Sequence, residues 1–151
     1  MTRETTLALG PIIGELESLE CGVVVTDRAG NVLWTNETFR RMTGYTMEEM
    51  QGWAPGLRPF GEHMGASCAS LWRAVLAGRT WRGDVLNRSK NGEAHEVTVT
   101  VTPLCEPAGR LTHMVAVHEP GNGQGRHDTS MRALKRAVED WRLRRTKSTP
   151  G

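Results

Sequence analysis

Catalysis needs a nucleophile beside a base, or a cluster of metal ligands, and the 151-residue sequence sets neither at a recognisable spacing. It contains no Gly-rich phosphate loop, no His-Glu-x-x-His and no Gly-x-Ser-x-Gly. Cys21, Cys68 and Cys105 are widely spaced without a Cys-x-x-Cys pair, so they read as reduced, partly buried thiols and not as a disulfide framework or zinc site. The expectation is a protein that is not an enzyme and holds no metal through these groups. His63 stands alone, and lone histidines are usually surface or capping residues. The basic run Arg142, Arg144, Arg145 and Lys147 has no recognised DNA-binding fold around it and reads as a solvated helix end, so no direct nucleic-acid contact is expected. One segment is left with unusual content: Trp81-Arg82-Gly83-Asp84-Val85-Leu86-Asn87-Arg88, which opens on Trp-x-Gly and ends on an asparagine.

The elements that would position such a segment begin with a hairpin. The β-branched run Val23-Val24-Val25-Thr26 turns on Asp27 to Asn31 and resumes as Val32 to Thr35. The period then changes: Asn36 caps a helix with Phe39, Met42 and Thr43 at helical spacing, and Gly44 stops it. Thr46 with Glu49 forms a capping box for a second short helix. Trp53 to His63 is broken by Pro and Gly and reads as a loop; Met64 to Leu76 reads as a helix with Cys68, Leu71, Trp72, Val75 and Leu76 on one face. Three strands follow, Thr80 to Arg88, Ala94 to Leu104 and Leu111 to His118, the first two joined by Asn91-Gly92. Between Glu96 and Val101 valines alternate with Glu and Thr, which separates two faces without saying which one meets a cavity.

Both ends carry amphipathic segments. Ile12, Ile13, Leu16 and Leu19 recur at helical spacing after Pro11, a stripe that either covers its own domain or forms a homodimer interface. After the Gly-rich stretch from Glu119 to Asp128, Asp128-Thr129-Ser130 can cap a helix with a Met131, Leu134, Val138, Trp141 seam. The linker composition predicts that this tail is separable from the domain before it. Net charge is +2, but eleven Lys/Arg stand against fourteen Asp/Glu up to Glu119, and eight against three beyond it, so the basic excess belongs to the tail. No apolar run nears the ~20 residues that span a bilayer and no signal peptide opens the chain, which predicts a cytoplasmic protein without membrane contact.

Strand, turn, strand, capped helix, Gly-Tyr, capped helix and Gly, in the order TDRAGNVLWTN then FRRMTGYTMEEMQG, resembles the opening half of a PAS (sensory box) domain, and the likeness continues to about residue 118. The resemblance implies an α+β fold: a five-stranded antiparallel sheet with helices on one side, here with flanking N- and C-terminal helices. The expected division is an N-terminal extension over 1–20, the PAS sensor over 21–119, and a linker with a basic helix over 120–151. The Trp81 to Arg88 segment is similar to the WxGxxxNR segment of flavin-binding PAS domains, above all the FAD-binding sensors of nitrogen-fixation redox regulators and more distantly the light-oxygen-voltage (LOV) family. That likeness implies FAD or FMN as cofactor, with Asn87 reading the O4/N3–H edge of the isoalloxazine and Trp81 as an apolar wall. Thr98 and Thr100 are second-rank contacts.

Departures from the LOV pattern are definite. Pro55 occupies the place of the adduct-forming cysteine, and Val97 the place of the second asparagine, so LOV photochemistry is not expected. The resemblance thus implies a sensory module that signals by rearranging a homodimer, a partner protein or an output domain. A cofactor-free PAS domain serving as a dimerisation module is the alternative, and a haem-binding gas sensor using His63 a third.

Overall fold

The computed structural model describes residues 13–14, 16–17, 19–50, 65–120, 132, 134–139 and 141. Ile12, the Trp53 to His63 loop, the Cys68 side chain, the linker from residue 121 on with its Asp128-Thr129-Ser130 cap, Met131 and the basic run from Arg142 lie outside the described residues. Strand β1 (Gly22–Asp27) pairs antiparallel with β2 (Val32–Thr35). The turn between them is pinned by Asp27, whose Oδ1 accepts the N–H groups of Ala29 and Asn31 at 2.9 Å each. Helix α1 (Glu37–Thr43) follows, capped by Asn36 and closed by Gly44 at φ 80°, a left-handed conformation that an L side chain disfavours. Helix α2 (Met47–Met50) starts on the expected capping box, Thr46 N–H to Glu49 and Glu49 N–H to Thr46 Oγ1. Then come α3 (Gly65–Leu76), β3 (Trp81–Arg88), β4 (Ala94–Cys105) and β5 (Leu111–Pro120).

The strands form one antiparallel sheet in the order β2-β1-β5-β4-β3. β5 is therefore central, bonded to β1 on one side and β4 on the other, and it is buried on both faces. This explains its unbroken Met114-Val115-Ala116-Val117 run, because a strand covered twice has no polar face to present.

Each face has its own core. On the inner face Val24, Val85, Val97, Val99, Val101, Met114 and Ala116 pack with Phe39 of α1, Met50 of α2, and Leu71 and Val75 of α3. On the outer face Val23, Val25, Trp34, Leu104, Val115 and Val117 pack with Leu16, Leu19, Leu134, Ala137, Val138 and Trp141. The helices between the strands thus cover one side of the sheet, and the terminal segments flank the other. The Leu134, Val138, Trp141 seam is part of the outer core, which corrects the expectation of a separable tail: Trp141 is only 2% exposed. Linker composition reports how a chain bends, not what the next segment docks against. The Leu16 and Leu19 stripe is likewise consumed within the chain. Among the described residues no helix is long and apolar enough to cross a membrane.

Asn36 ties these layers together. Its Oδ1 accepts the N–H groups of Val23 (2.9 Å) and Phe39 (3.0 Å), and its Nδ2 donates to the carbonyls of Leu16 (3.2 Å) and Cys21 (2.9 Å). All four amide positions are satisfied in a fully buried site. Close by, α1 lies so near β1 that a Cβ on Gly22 would meet the Phe39 Cα at 3.2 Å. His118, paired with Gly22 across β5 and β1, meets the Phe39 ring in a tilted contact, with centroids 4.7 Å apart. Burial pushes the His118 imidazole down to about 4, with backbone contacts at Ala116 and Gly22 opposing the shift.

These features set three expectations. Asn36→Ala should destabilise the fold by about 3 kcal/mol or more in a denaturant melt, since it strands buried backbone groups on two segments. Truncation after Glu119 should lower the melting temperature by many degrees, because a Trp141 deletion alone removes contacts worth about 3–5 kcal/mol; an unchanged melt would place the tail outside the core. The depressed His118 pKa means that the unfolded chain takes up the proton first, so this residue's stabilisation is complete above pH 6.5 and is lost as pH falls from 6.5 to about 4. The loss amounts to about 3 kcal/mol, and His118→Leu should remove that part of the pH dependence of stability.

Candidate functional site

β3 is an edge strand, and its odd-numbered residues Trp81, Gly83, Val85 and Asn87 face the inner layer opposite Val101, Val99, Val97 and His95 of β4. Asn87 is 5% exposed. It lines a cleft of about 470 Å³ between the sheet and the C-terminal end of α1, together with Met42, Thr43, Ser89, His95 and Val97. A second opening of about 510 Å³ shares Met42, Thr43, Ser89 and His95 and extends toward Arg41, Lys90 and Asn91.

The hairpin that ends β3 is latched onto the helices. Lys90 N–H donates to the Thr43 carbonyl at 2.7 Å, its ammonium meets Glu49 at 2.6 Å, and the same cation lies 5.9 Å from the centre of the Tyr45 ring. Lys90 beside Glu49, aided by the Thr46 N–H, holds the Glu49 carboxyl below the usual carboxylate range. Gly92, at φ 91°, lets the turn close.

Trp81 is not among the residues that line this cleft. Its indole lies across Gly83, where an added Cβ would come within 2.5 Å of the ring, and Nε1 donates to Ser70 Oγ of α3 at 3.2 Å. Trp-x-Gly here is a packing device in which the missing side chain two residues on makes room for the ring. Trp81 and Asn87 share the inner face of β3.

Thr98 and Thr100 are not brought to the cleft either. They pair with Asp84 and Arg82, the even-numbered residues of β3, and so face the outer layer. Thr98 Oγ1 donates to Asp84 Oδ1 at 2.7 Å, while Thr100 Oγ1 is buried without a hydrogen-bond partner among the described residues. The valines take the inner face because that is where α3 packs. Met42, Thr43, Ser89 and His95, which the sequence did not single out, are what surround Asn87. The Asn91-Gly92 turn signal was the available clue to Ser89 and His95, since it fixes which residues flank the hairpin.

Ser89, His95 and Glu93 approach one another without forming a hydrolytic set. His95 Nε2 is 3.2 Å from Ser89 Oγ, but the Glu93 carboxylate stands 3.7 Å from that same nitrogen. A triad needs its carboxylate on the other ring nitrogen. The Ser89 hydroxyl is also within reach of Asn91 Oδ1 and the Glu93 carbonyl, both at 3.1 Å. Among the described residues no three His, Cys, Asp or Glu side chains group as metal ligands. What the cleft offers is recognition: an amide with donor and acceptor, an apolar floor of Met42 and Val97, and a volume within the range of roughly 300–1,000 Å³ usual for small-molecule sites.

Comparison with known proteins agrees with this architecture. Residues 16–122 match the family described as PAS fold. The chain is 26% identical over 102 residues to the nitrogen fixation regulatory protein of Klebsiella oxytoca, covering 68% of this chain and 21% of that one. It is 32% identical over 79 residues to the aerotaxis receptor of Escherichia coli K12, covering 52% of this chain and 16% of the receptor. The chain thus spans about a fifth of the length of these relatives. Among solved structures, the Rhodobacter sphaeroides LOV protein superposes with a TM-score of 0.75 at 16% identity, covering 94% of this chain and 92% of that one, a likeness of fold. With the family match extending over both the sheet and the cleft, the chain belongs to the PAS family of sensory modules.

Proposed function

We propose that this PAS module binds a flavin, FAD or FMN, in the cleft between α1 and the β3–β4 hairpin, and that it is a sensor and not a catalyst. The observation that carries the reading is the position of Asn87, nine-tenths buried on the wall of the cleft, where a ligand in the cleft can meet its amide. An amide carries both a donor and an acceptor, which match the adjacent C=O and N–H of a flavin edge. The WxGxxxNR resemblance supports the same assignment for Asn87, whereas Trp81 contributes by fastening α3 to the sheet. When bound, a flavin supplies a redox couple whose protonation at N5 changes the hydrogen bonds available to its surroundings. Met42 and Val97 would exclude water from one side, and the Lys90–Glu49 latch would hold the hairpin in place. Output then runs through a partner protein or a linked domain, in a cytoplasmic setting. A homodimer would have to use a surface other than the Leu16 and Leu19 stripe.

A second reading is a cofactor-free contact module. It is favoured by the inner face itself, where Val85, Val97, Val99 and Val101 are already packed by Tyr45, Met50, Leu71, Val75 and Trp81. The haem alternative rests on His63, which lies outside the described residues.

Absorbance of the purified protein after reconstitution with FAD or FMN decides between them. Retained flavin is expected, and no retained flavin would favour the contact module. Asn87→Ala should weaken retention about tenfold or more with little change in melting temperature. Trp81→Ala should instead lower stability, by about 3–5 kcal/mol, with flavin stoichiometry maintained in the folded fraction. Unchanged retention in Asn87→Ala would remove Asn87 from the site.

A further inference from the structure

The Asn87 amide does not line the cleft alone. His95 stands directly opposite it in the β3–β4 register, on the same inner face, and both residues line the cleft. Side chains directly opposite in an antiparallel pair have Cβ atoms about 5 Å apart, so one ligand edge can meet both. Unlike an amide, an imidazole changes its hydrogen-bonding character with pH, and the nitrogen that does so is the one its surroundings leave without a proton.

The hairpin decides which nitrogen that is. Ser89 Oγ lies 3.1 Å from Asn91 Oδ1, 3.1 Å from the Glu93 carbonyl and 3.2 Å from His95 Nε2. The Asn91 amide has a fixed orientation, because its Oδ1 also accepts the Glu93 N–H at 3.0 Å. Two of the three neighbours of the hydroxyl are therefore pure acceptors, and a hydroxyl has one proton to give. Given to His95, that proton would leave the Ser89 lone pairs facing two oxygens, each 3.1 Å away. Given to either oxygen, it leaves Ser89 Oγ free to accept from a His95 Nε2–H. The Glu93 carboxylate, 3.7 Å from the same nitrogen, favours a proton there as well. Neutral His95 then carries its lone pair on Nδ1, and Nδ1 is where the second proton enters.

We propose that His95 is a second ligand-reading residue of the cleft, in its neutral form, with Nδ1 accepting an N–H group of the ligand beside the group that Asn87 meets. The proposal rests on the reading of the cleft as a flavin site, since a flavin edge sets an N–H next to a C=O. It adds a condition to that reading. A protonated His95 would turn an N–H against the ligand N–H, so the occupied cleft selects the neutral imidazole and binding releases the proton from Nδ1. The charged groups around the ring are Glu93, Glu96 in the same cleft, and Arg41 and Lys90 of the adjoining opening, with Lys90 itself paired to Glu49.

The affinity of the full chain for FMN or FAD, measured across the span of about pH 8 to 5 in which an imidazole changes charge, tests this. Affinity is expected to fall about tenfold from the upper end to the lower, the loss of one hydrogen bond that is replaced by a clash of donors. His95→Gln stays neutral throughout and should bind with a flat profile. The loss of stability on acidification that comes from His118 is common to both proteins and cancels. Nuclear magnetic resonance of the unaltered chain supplies a reading that needs no variant. The ring-nitrogen shifts of His95 should place its proton on Nε2 at the upper end of the range. Saturation with flavin should move the midpoint of its titration down by about one pH unit, the same tenfold seen from the proton's side. Flavin binding with one pH profile in both proteins, a midpoint that does not move, or a ring proton on Nδ1 would overturn the role of His95 and leave the flavin site standing. Absence of flavin binding at every pH would overturn both.

Discussion

The arrangement depends on one buried amide. Asn36 is the N-cap of α1, yet only one of its four hydrogen bonds performs that task. The others fasten the start of β1 and the turn that carries the chain in from the outer face. A capping serine or aspartate would satisfy the helix equally well. Only an asparagine both accepts from Val23 and Phe39 and donates to Leu16 and Cys21, and a carboxylate there would face two carbonyls with no proton to offer. The geometry also requires Gly22, since any side chain would lift Phe39 and draw the cap away from its partners. Inner core, outer core and strand β1 are thus registered against one another through a few atoms.

Local chemistry was readable in the sequence wherever the partners were near neighbours in the chain. The Asp27 to Asn31 turn, the Asn36 cap, the Thr46–Glu49 box and the Asn91-Gly92 hairpin are each formed by groups a few residues apart, and each was found where the residue types put it. The strands differ from expectation by a residue or two at their ends. What could not be read was burial against distant partners. The Leu134, Val138, Trp141 seam looks like a free tail until β5 is seen to be apolar on both faces, which demands a second cover.

The site was legible in part for the same reason. Asn87 was singled out by its motif, and it does lie buried on a cleft. Trp81 belongs to the same motif, and Gly83 gives its indole a packing place on the strand. Thr98 and Thr100 show the limit of alternation: a period of two divides a strand into faces, and only the register with β3 tells them apart. The Lys90–Glu49 latch joins residues 41 apart in the chain, and no local pattern announces it.

The claim that Asn36 locks both layers into one unit is tested most directly by native-state hydrogen exchange at the Val23 and Phe39 amides, which donate to its Oδ1. Both are expected to exchange only through global unfolding, with the free energy and denaturant dependence of the whole domain. Exchange of either amide by a low-energy local opening that is insensitive to denaturant would contradict the account, because α1 and β1 would then separate without disturbing the rest.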